Sequence, residues 1–335
     1  MGLYHRLLFN SINFPFDIVF TQRPKDEFNI PSHANVILIS KKIKLIIGIL
    51  KIFLPFNLFF PGYKIIITDG FTPMQFAKKI KTITIIHDLM AITERKNYSR
   101  MKQLYNFIRH KTYSRANKIV AVSNNTKNEL KRLLNINENS IVVIPNVSSF
   151  FVNREKIDSY FLYIGEMRKN KNLKNTILGF MMYKKNTNSN IKLIICGNKK
   201  NEYKSLFNLV CENDFQEEIV FTGYISNQEK EKYFSGTKGL VLLSDNEGFG
   251  VPVIEAMINY IPVLLSDIPI MHEVSNDAAI FVNQNDISEI ANGFEILSGK
   301  INNDVFINAC DEIKKRYSVE NFVELINKLL YTMHS

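Results

Sequence analysis

The chain has 335 residues, 46% of them hydrophobic, which fits two folded domains and excludes an extended disordered protein. Its formal net charge of +10 is unevenly placed, because residues 1–118 carry 19 Lys and Arg against 6 Asp and Glu. The balance of +13 in this first part indicates an anionic partner, namely membrane phosphates, a phosphorylated acceptor or nucleic acid, or else a solvated basic surface.

The three cysteines, Cys196, Cys211 and Cys310, have neither metal-ligand nor CxxC spacing. Such a low, odd count is typical of free thiols in a reducing compartment. Residues 1–20 lack a basic start followed by an apolar run and a cleavage site, so they do not predict a signal peptide. We therefore expect a cytoplasmic protein.

Short β-branched runs, each followed by a helical pattern, predict βαβ units along the chain. In the first half the predicted strands are Asp17–Thr21, Asn35–Ser40, Lys64–Thr68, Thr82–His87, Lys118–Ser123 and Ile141–Pro145. Between them, Leu45–Phe60 is apolar, but Lys51 and Pro55 interrupt it and it is shorter than the ~20 residues of a spanning helix. It predicts a helix whose apolar face either packs in the core or lies on a membrane surface.

In the second half the predicted strands are Tyr160–Gly165, Lys192–Gly197, Ile219–Tyr224, Gly239–Ser244, Pro262–Asp267 and Ala278–Asn283. Two series of apolar strands predict an α/β protein with two Rossmann-like, doubly wound parallel-sheet domains. A break near Asn146–Ser159, which includes the polar stretch Asn153–Ser159, separates an N-terminal domain over 1–150 from a C-terminal domain over 151–315. Residues 316–335 predict a C-terminal helix. In one arrangement this helix packs back on the N-terminal domain.

The segment 247–255, EGFGVPVIE, joins a glycine-containing loop to the start of a helix. Pro252 stands where a first helical turn begins, and the N–H groups of that turn attract anions. Gly248 and Gly250 let a ligand approach the main chain closely. Carboxylates at Glu247 and Glu255, beside such an anion site, suit the hydroxyl groups of a sugar; the alternative is a surface turn with two ordinary glutamates.

This segment resembles the EGFGLPxxEA motif of the retaining glycosyltransferases of family 4. Between residues 83 and 286, further segments match that family in the same order: Ile86-His87-Asp88, Val122-Ser123, Ile144-Pro145-Asn146, Tyr163-Ile164-Gly165, Lys171-Asn172-Leu173, Pro262-Val263, Ser266-Asp267-Ile268-Pro269, His272-Glu273-Val274 and Asn285-Asp286. Among subgroups, the spacing is nearest to bacterial O-antigen and capsule mannosyltransferases. The resemblance implies a GT-B fold, in which two Rossmann-like domains face each other across a cleft.

The resemblance also implies roles for the residues at the matching positions. Glu247 would hold hydroxyls of the donor sugar, His87 would contact the transferred sugar, and Lys171 would neutralise the diphosphate, so these three are the candidate catalytic residues. The implied donor-binding residues are Gly165, Arg168, Tyr224, Gly248, Phe249, Gly250, Val251 and Glu255, of which Glu255 would accept hydrogen bonds from the ribose. By residue type alone, His87 fits a structural strand end, Lys171 a solvated face and Tyr224 a core position equally well.

No DxD sequence occurs, so the expected site holds no metal ion, and Lys171 and the helix terminus take its place. No cofactor is implied beside the donor substrate, a GDP- or UDP-linked sugar. The chain departs from the family pattern at Tyr260, where glycine is usual, so the helix before it is expected to end in another way. Asn170 replaces a usual basic residue, for which Arg168 is a substitute, and only Gly2 is left as a candidate remnant of an N-terminal acceptor loop.

The resulting hypothesis is retaining, metal-independent transfer of a hexose, with mannose favoured, to a lipid-linked or polysaccharide acceptor in surface polysaccharide synthesis. The basic N-terminal half would bind an anionic membrane surface, at the inner face of the cytoplasmic membrane. The alternatives are a GT-B epimerase acting on the nucleotide sugar and a non-catalytic module that binds a nucleotide sugar or a membrane. Nucleic acid is not an expected partner, since no recognition motif accompanies the basic charge.

Overall fold

The computed structural model describes residues 7, 8, 10, 12, 16–20, 34–38, 65–68, 81–93, 99–154, 158–299, 301 and 304–334. The predicted helix over Leu45–Phe60 and the predicted acceptor-loop remnant at Gly2 lie outside these residues. The chain divides into two compact units: Met1–Val147 with Ser318–Ser335, and Ser148–Tyr317.

The N-terminal unit contains parallel strands whose order follows the chain. Its strands are β1 (Phe16–Phe20), β2 (Ala34–Leu38), β3 (Ile65–Thr68), β4 (Lys81–Ile86), β5 (Lys118–Ala121) and β6 (Ile141–Val143). β1 pairs with β2, and β3-β4-β5-β6 form a four-stranded sheet. The helices whose bounds the structure describes in this unit are α1 (Met90–Thr93), α2 (Arg100–Tyr113), α3 (Asn124–Leu134) and, from the end of the chain, α11 (Val319–His334).

Local sequence signals explain where the helices of this unit begin and end. Ser123 follows β5 and caps α3, since its Oγ accepts a hydrogen bond of 2.9 Å from the Thr126 amide. α3 ends on Asn135, which adopts the left-handed conformation that asparagine tolerates. The side chains of α11 that are buried recur three or four residues apart, at Phe322, Ile326, Leu329, Leu330 and Met333.

The C-terminal unit is built on one six-stranded parallel sheet. Its strands are β7 (Tyr160–Ile164), β8 (Lys192–Cys196), β9 (Ile219–Gly223), β10 (Gly239–Leu242), β11 (Val263–Ser266) and β12 (Ile280–Val282). Its helices are α4 (Leu173–Thr187), α5 (Tyr203–Glu212), α6 (Asn227–Gly236), α7 (Val251–Met257), α8 (Pro269–Ser275), α9 (Ile287–Ser298) and α10 (Asp304–Arg316). The strand order β12-β11-β10-β7-β8-β9 reverses direction between β7 and β10.

This order is that of a Rossmann sheet, in which ligands bind where the strand order reverses. All four residues of β10 are buried, as are Phe161, Leu162 and Tyr163 of β7, because helices cover both faces of the sheet. Each of the twelve predicted strands coincides with an observed strand to within a few residues. The prediction of two Rossmann-like parallel-sheet domains is therefore confirmed.

Tyr260 corrects one expectation about how α7 ends. The chain passes through the left-handed conformation at this residue (φ 54°), although the side chain is not a glycine. The Tyr260 hydroxyl donates to Asp311 Oδ1 over 2.5 Å, and the Tyr260 carbonyl accepts from Arg154 Nη1 over 3.1 Å. α7 therefore ends with the backbone geometry that glycine usually supplies, held in place by two tertiary hydrogen bonds.

His272 on α8 ties that helix to the ends of neighbouring strands. Its ring nitrogens lie 2.7 Å from Asp267 and 2.7 Å from Asp277, and the ring stacks on Phe281. Burial by itself lowers the pKa of His272, but the hydrogen bonds and charges of the two aspartates outweigh it and raise the pKa. The His-Glu-Val segment thus has a structural role within the C-terminal unit.

No helix in the described part of the chain is long and apolar enough to cross a membrane.

Gly197 closes the turn after β8 and gives a first prediction. Its φ is +148°, and an added Cβ would lie 1.9 Å from the Gly165 carbonyl oxygen. Gly250, with φ +87°, has room for a Cβ at ordinary van der Waals distance. We expect Gly250→Ala to lower the free energy of unfolding by about 1–2 kcal/mol through backbone strain. Gly197→Ala should cost about 3 kcal/mol or more, because a steric clash is added to the strain.

Urea unfolding of the wild type and both variants, followed by circular dichroism, measures this difference. Equal losses of unfolding free energy in the two variants would contradict the close contact between Gly197, after β8, and Gly165, after β7.

Candidate functional site

The candidate donor site lies at the carboxyl ends of β7 and β10, the two strands at the reversal of the sheet order. The loop after β7 and the loop after β10 bind each other directly. The Asp245 amide donates to the Asn170 carbonyl over 2.9 Å, and Asn170 Nδ2 lies 3.5 Å from the Asn246 carbonyl. Asn170, which replaces a basic residue usual in the family, therefore joins the two loops.

Lys171 and Glu247 form an ion pair between these loops. Lys171 ends a 3-10 turn over Lys169–Lys171, and the next residue, Asn172, donates its amide Nδ2 to the Gln284 carbonyl over 2.6 Å. Ser244 Oγ donates to the same Glu247 oxygen over 2.8 Å. Both charged side chains are largely buried, so their positions are fixed before any ligand binds.

Glu255 forms a second ion pair, deeper in the unit. It lies on α7 with only 7% of its surface exposed, and Oε1 accepts from Lys230 Nζ over 2.6 Å. Lys230 Nζ also lies 4.5 Å from the ring centroid of Phe150, a cation–π contact. Burial raises the pKa of Glu255, and the Lys230 ammonium offsets only part of that rise.

The other oxygen of Glu255, Oε2, is buried and has no hydrogen-bond partner among the residues that the structure describes. A buried carboxylate oxygen without a donor is costly, because it has lost its water and gained nothing in exchange. A ligand hydroxyl would satisfy it. Glu255 is thus a predicted site residue that has an unused acceptor among the described contacts.

The loop residues between the two glutamates have different surroundings. Phe249 is buried, with its ring 5.6 Å from that of Tyr317 in an edge-to-face contact, so it supports the loop from the protein interior. Gly250 begins α7 in the left-handed conformation, and no side chain caps that end of the helix. Gly248 and Val251 lie on either side of this turn. Their donor-binding roles stay predictions.

Gly165, Arg168 and Tyr224 lie at the same edge of the sheet but outside the two ion pairs. Gly165 follows β7, and its amide donates to the Cys196 carbonyl over 3.0 Å. Arg168 pairs with Glu166, so among the described contacts its charge is directed to that carboxylate and not to the Lys171–Glu247 pair. Tyr224 follows β9 and is exposed. Their predicted roles remain untested.

His87 belongs to the N-terminal unit, where it follows β4 directly. The next residue, Asp88, accepts a hydrogen bond of 3.0 Å from the Met90 amide and so caps the short helix α1. Sequence and fold agree in placing His87 at the carboxyl end of a buried strand, as the resemblance implied. Its predicted contact with the transferred sugar stays a prediction.

Sequence reasoning missed Lys230 and Ser244, which hold the two glutamates. α6 is polar along its first turns, so nothing in its sequence distinguishes Lys230 from the exposed Lys232. Ser244 is the last residue of a predicted strand, and the Ser-x-x-Glu spacing to Glu247 was the available signal. Within the described residues, no group of three or more His, Cys, Asp and Glu side chains is placed to hold a metal ion.

Two family models together match residues 16–308. Residues 16–147 match Glycosyltransferase Family 4, and residues 146–308 match Glycosyl transferases group 1. Each half of the chain is thus similar to a glycosyltransferase family. The boundary between the two matches falls at the boundary between the two compact units.

Solved structures agree with this fold. Sucrose-phosphate synthase from Thermosynechococcus elongatus is similar with a TM-score of 0.75 at 15% identity, covering 99% of this chain and 93% of that one. Anabaena HepE, in complex with UDP and glucose, has a TM-score of 0.72 at 13% identity and covers 99% of this chain and 96% of that one.

The chain is also similar to the O-antigen chain mannosyltransferase RfbU of Salmonella typhimurium. The two are 30% identical over 208 residues, which is 62% of this chain. The match spans 57% of the length of that relative, little more than half of it.

The buried Lys230–Glu255 pair generates a second prediction. The pKa of Glu255 is higher in the folded protein than the ordinary value of the unfolded chain. Such a group contributes stability that is complete at pH values below the unfolded pKa and is lost as pH rises through the folded pKa. Lys230→Met removes the offsetting charge and raises the pKa of Glu255 further, so the loss extends to higher pH. We expect the variant to lose about 2–4 kcal/mol of unfolding free energy near pH 8 and much less near pH 5.

Urea unfolding between pH 5 and pH 8 measures the effect, with Lys232→Met on the same helix as the matched control. The same pH dependence in both variants would contradict a buried, Lys230-dependent carboxylate.

Proposed function

We propose that the protein is a retaining glycosyltransferase that moves a hexose from a nucleoside-diphosphate sugar to a lipid-linked or polysaccharide acceptor. The observation that carries the proposal is the Lys171–Glu247 pair, held at the reversal point of the Rossmann sheet by the motif that resembles family 4. A cation beside a hydroxyl acceptor suits the diphosphate and the sugar of one donor molecule. Both groups are positioned by loops that bind each other, so the site is pre-organised.

The donor is proposed to exchange the internal contacts of the site for its own. Lys171 moves its charge from Glu247 to the diphosphate, where negative charge grows as the bond to the sugar breaks. Glu247 is then free to accept hydrogen bonds from sugar hydroxyls. The ribose donates to Glu255, whose Oε2 is buried and lacks a donor among the described residues. The Lys230 pair keeps Glu255 charged and oriented for this contact.

The reaction is proposed to need no metal ion, since Lys171 and the uncapped start of α7 supply positive potential where the diphosphate would lie. The charge on that side of the donor is balanced by protein groups alone. His87 is proposed to contact the transferred sugar from the N-terminal domain. We assign no nucleophile or general base.

Mannose is the favoured sugar, and synthesis of a surface polysaccharide the favoured setting, because the similar protein RfbU is an O-antigen chain mannosyltransferase. The donor is therefore proposed to be a GDP- or UDP-linked hexose. The +13 balance of residues 1–118 supports peripheral attachment to an anionic membrane surface on the cytoplasmic side. A lipid-linked acceptor would be found at that surface.

A panel of nucleotide sugars tests the proposal. We expect one nucleoside-diphosphate hexose to raise the melting temperature of the purified protein, because a ligand that binds only the folded state stabilises it. With membrane extract, that donor should yield a labelled lipid or polysaccharide product. Neither stabilisation nor transfer with any donor would refute the function. Product formation without an acceptor would indicate an epimerase, and donor binding without turnover would indicate a binding module.

Paired variants separate the roles of the two glutamates. Glu255→Gln should weaken binding of the nucleoside diphosphate itself by about 1–3 kcal/mol, because a charged hydrogen-bond acceptor is lost. Glu247→Gln should not weaken that affinity, because it frees Lys171 for the diphosphate, and it should depress turnover of the nucleotide sugar. Calorimetry with the nucleotide and steady-state kinetics with the sugar measure the two effects.

Glu231→Gln, on the exposed face of α6, is the matched control and should change neither quantity. The division of roles fails if both glutamate variants lose nucleotide affinity equally, or if neither does.

A further inference from the structure

The helix α2 in the N-terminal unit has its polar and apolar faces reversed. Of the four side chains that it buries, three are polar, with Asn106 4%, Arg109 9% and His110 7% exposed, and the fourth is Tyr113. On its outer side, Met101 is 77%, Leu104 54% and Phe107 53% exposed, and we call these three the α2 stripe. A helix on the surface of a globular protein normally has the opposite polarity.

The buried polar side chains of α2 contact other residues of the same helix. Arg109 Nη2 lies 3.1 Å from His110 Nε2, and the Arg109 carbonyl accepts from Thr112 Oγ1 over 2.6 Å. Burial, followed by the charge of Arg109, lowers the pKa of His110 to about 4, so the imidazole is neutral and Nε2 accepts from the guanidinium. Both contacts lie within α2, and the helix is anchored to the unit through Tyr113, which is buried in a cluster with Leu89 and Leu130. Tyr113 lies on the same side of the helix as Asn106 and Arg109, so this packing leaves the apolar stripe on the outside.

The α2 stripe has the three-residue spacing that places side chains along one side of a helix. Cationic side chains flank it: Arg100 and Lys111 are exposed, and Lys111 Nζ lies 4.6 Å from the Phe107 ring centroid. The sequence of α2 contains no Asp or Glu. The outer side of the helix thus combines a continuous apolar surface with positive charge.

The apolar surface continues beside the helix. Phe107 and Lys111 also line a cavity of about 340 Å³. Its apolar lining includes Ile92 of α1, Leu133 of α3 and Ile136, which follows α3. Phe107 is therefore the member of the α2 stripe that borders this cavity, whose wall on the side of α2 is otherwise polar, with Gln103, Asn106 and His110.

We propose that the α2 stripe docks on an anionic lipid bilayer. Met101, Leu104 and Phe107 enter the boundary between head groups and acyl chains, while Arg100 and Lys111 meet lipid phosphates. A second copy of the chain is disfavoured, because pairing two α2 helices would bring like charges together. Nucleic acid would leave the apolar side chains in water. The inference deepens the proposed membrane attachment and rests on it, whereas donor binding belongs to the other structural unit.

Vesicle co-sedimentation tests this surface. The wild-type chain should bind vesicles of phosphatidylcholine with 30% phosphatidylglycerol and bind pure phosphatidylcholine vesicles far more weakly. The triple variant Met101→Gln, Leu104→Gln, Phe107→Gln should bind the anionic vesicles at least about tenfold more weakly. Arg100→Gln with Lys111→Gln should reduce the preference for anionic over neutral vesicles. Val305→Gln, at an exposed apolar residue of α10, is the matched control and should bind as the wild type does.

All variants are checked for fold by circular dichroism and for nucleotide binding by calorimetry, and neither should change, so a failure of donor binding is seen separately. Wild-type protein that binds no vesicles, or a triple variant that binds them as well as the wild type, would overturn the proposal. A wild-type dimer that becomes monomeric in the triple variant would overturn it in favour of a second copy.

Discussion

The pairing of β7 with β10 is the constraint on which the candidate donor site depends. These strands are distant in sequence, yet their parallel register places Lys171 and Glu247 in contact. A shift of one residue would turn the side chains of either strand to the other face and separate the loops. The hydrogen bond from the Asp245 amide to the Asn170 carbonyl locks the same register from the loop side. Sheet topology, more than any single loop, therefore brings the charged groups together.

The sequence predicted the strands and the motif because both are local patterns. Continuous apolar runs marked all twelve strands, and the glycine-containing string 247–255 marked the turn before α7. It did not predict the partners of the two glutamates, since Lys230 becomes distinct from Lys232 only when α6 packs against α7 and Phe150. Tyr260 was misjudged for the same reason: the side chain of Asp311, far along the chain, helps to hold its unusual backbone. Tertiary contacts of this kind leave no periodic signal.

The two structural units use buried charge in opposite ways. In the C-terminal unit each described glutamate of the motif has a lysine partner, and the pairs are kept close to where a ligand would bind. In the N-terminal unit Arg109 is buried beside a neutral imidazole, on a different side of α2 from its exposed apolar residues. Both cases cost desolvation energy that a purely apolar interior would avoid. In each unit the desolvation cost of the buried charge accompanies a surface proposed to bind another molecule, the donor in one unit and the lipid bilayer in the other.

Internal neutralisation of Lys171 has a consequence for which anions the site admits. Inorganic phosphate could bind the ammonium only by displacing Glu247, which would then be left as a partly buried carboxylate with Ser244 as its described donor. A nucleotide sugar brings hydroxyl groups that satisfy the displaced carboxylate in the same event. On the proposed function, the ion pair therefore acts as a filter against the abundant free phosphate of the cell. Only a ligand that carries both an anionic group and several hydroxyl groups offsets the free energy lost when Lys171 and Glu247 separate.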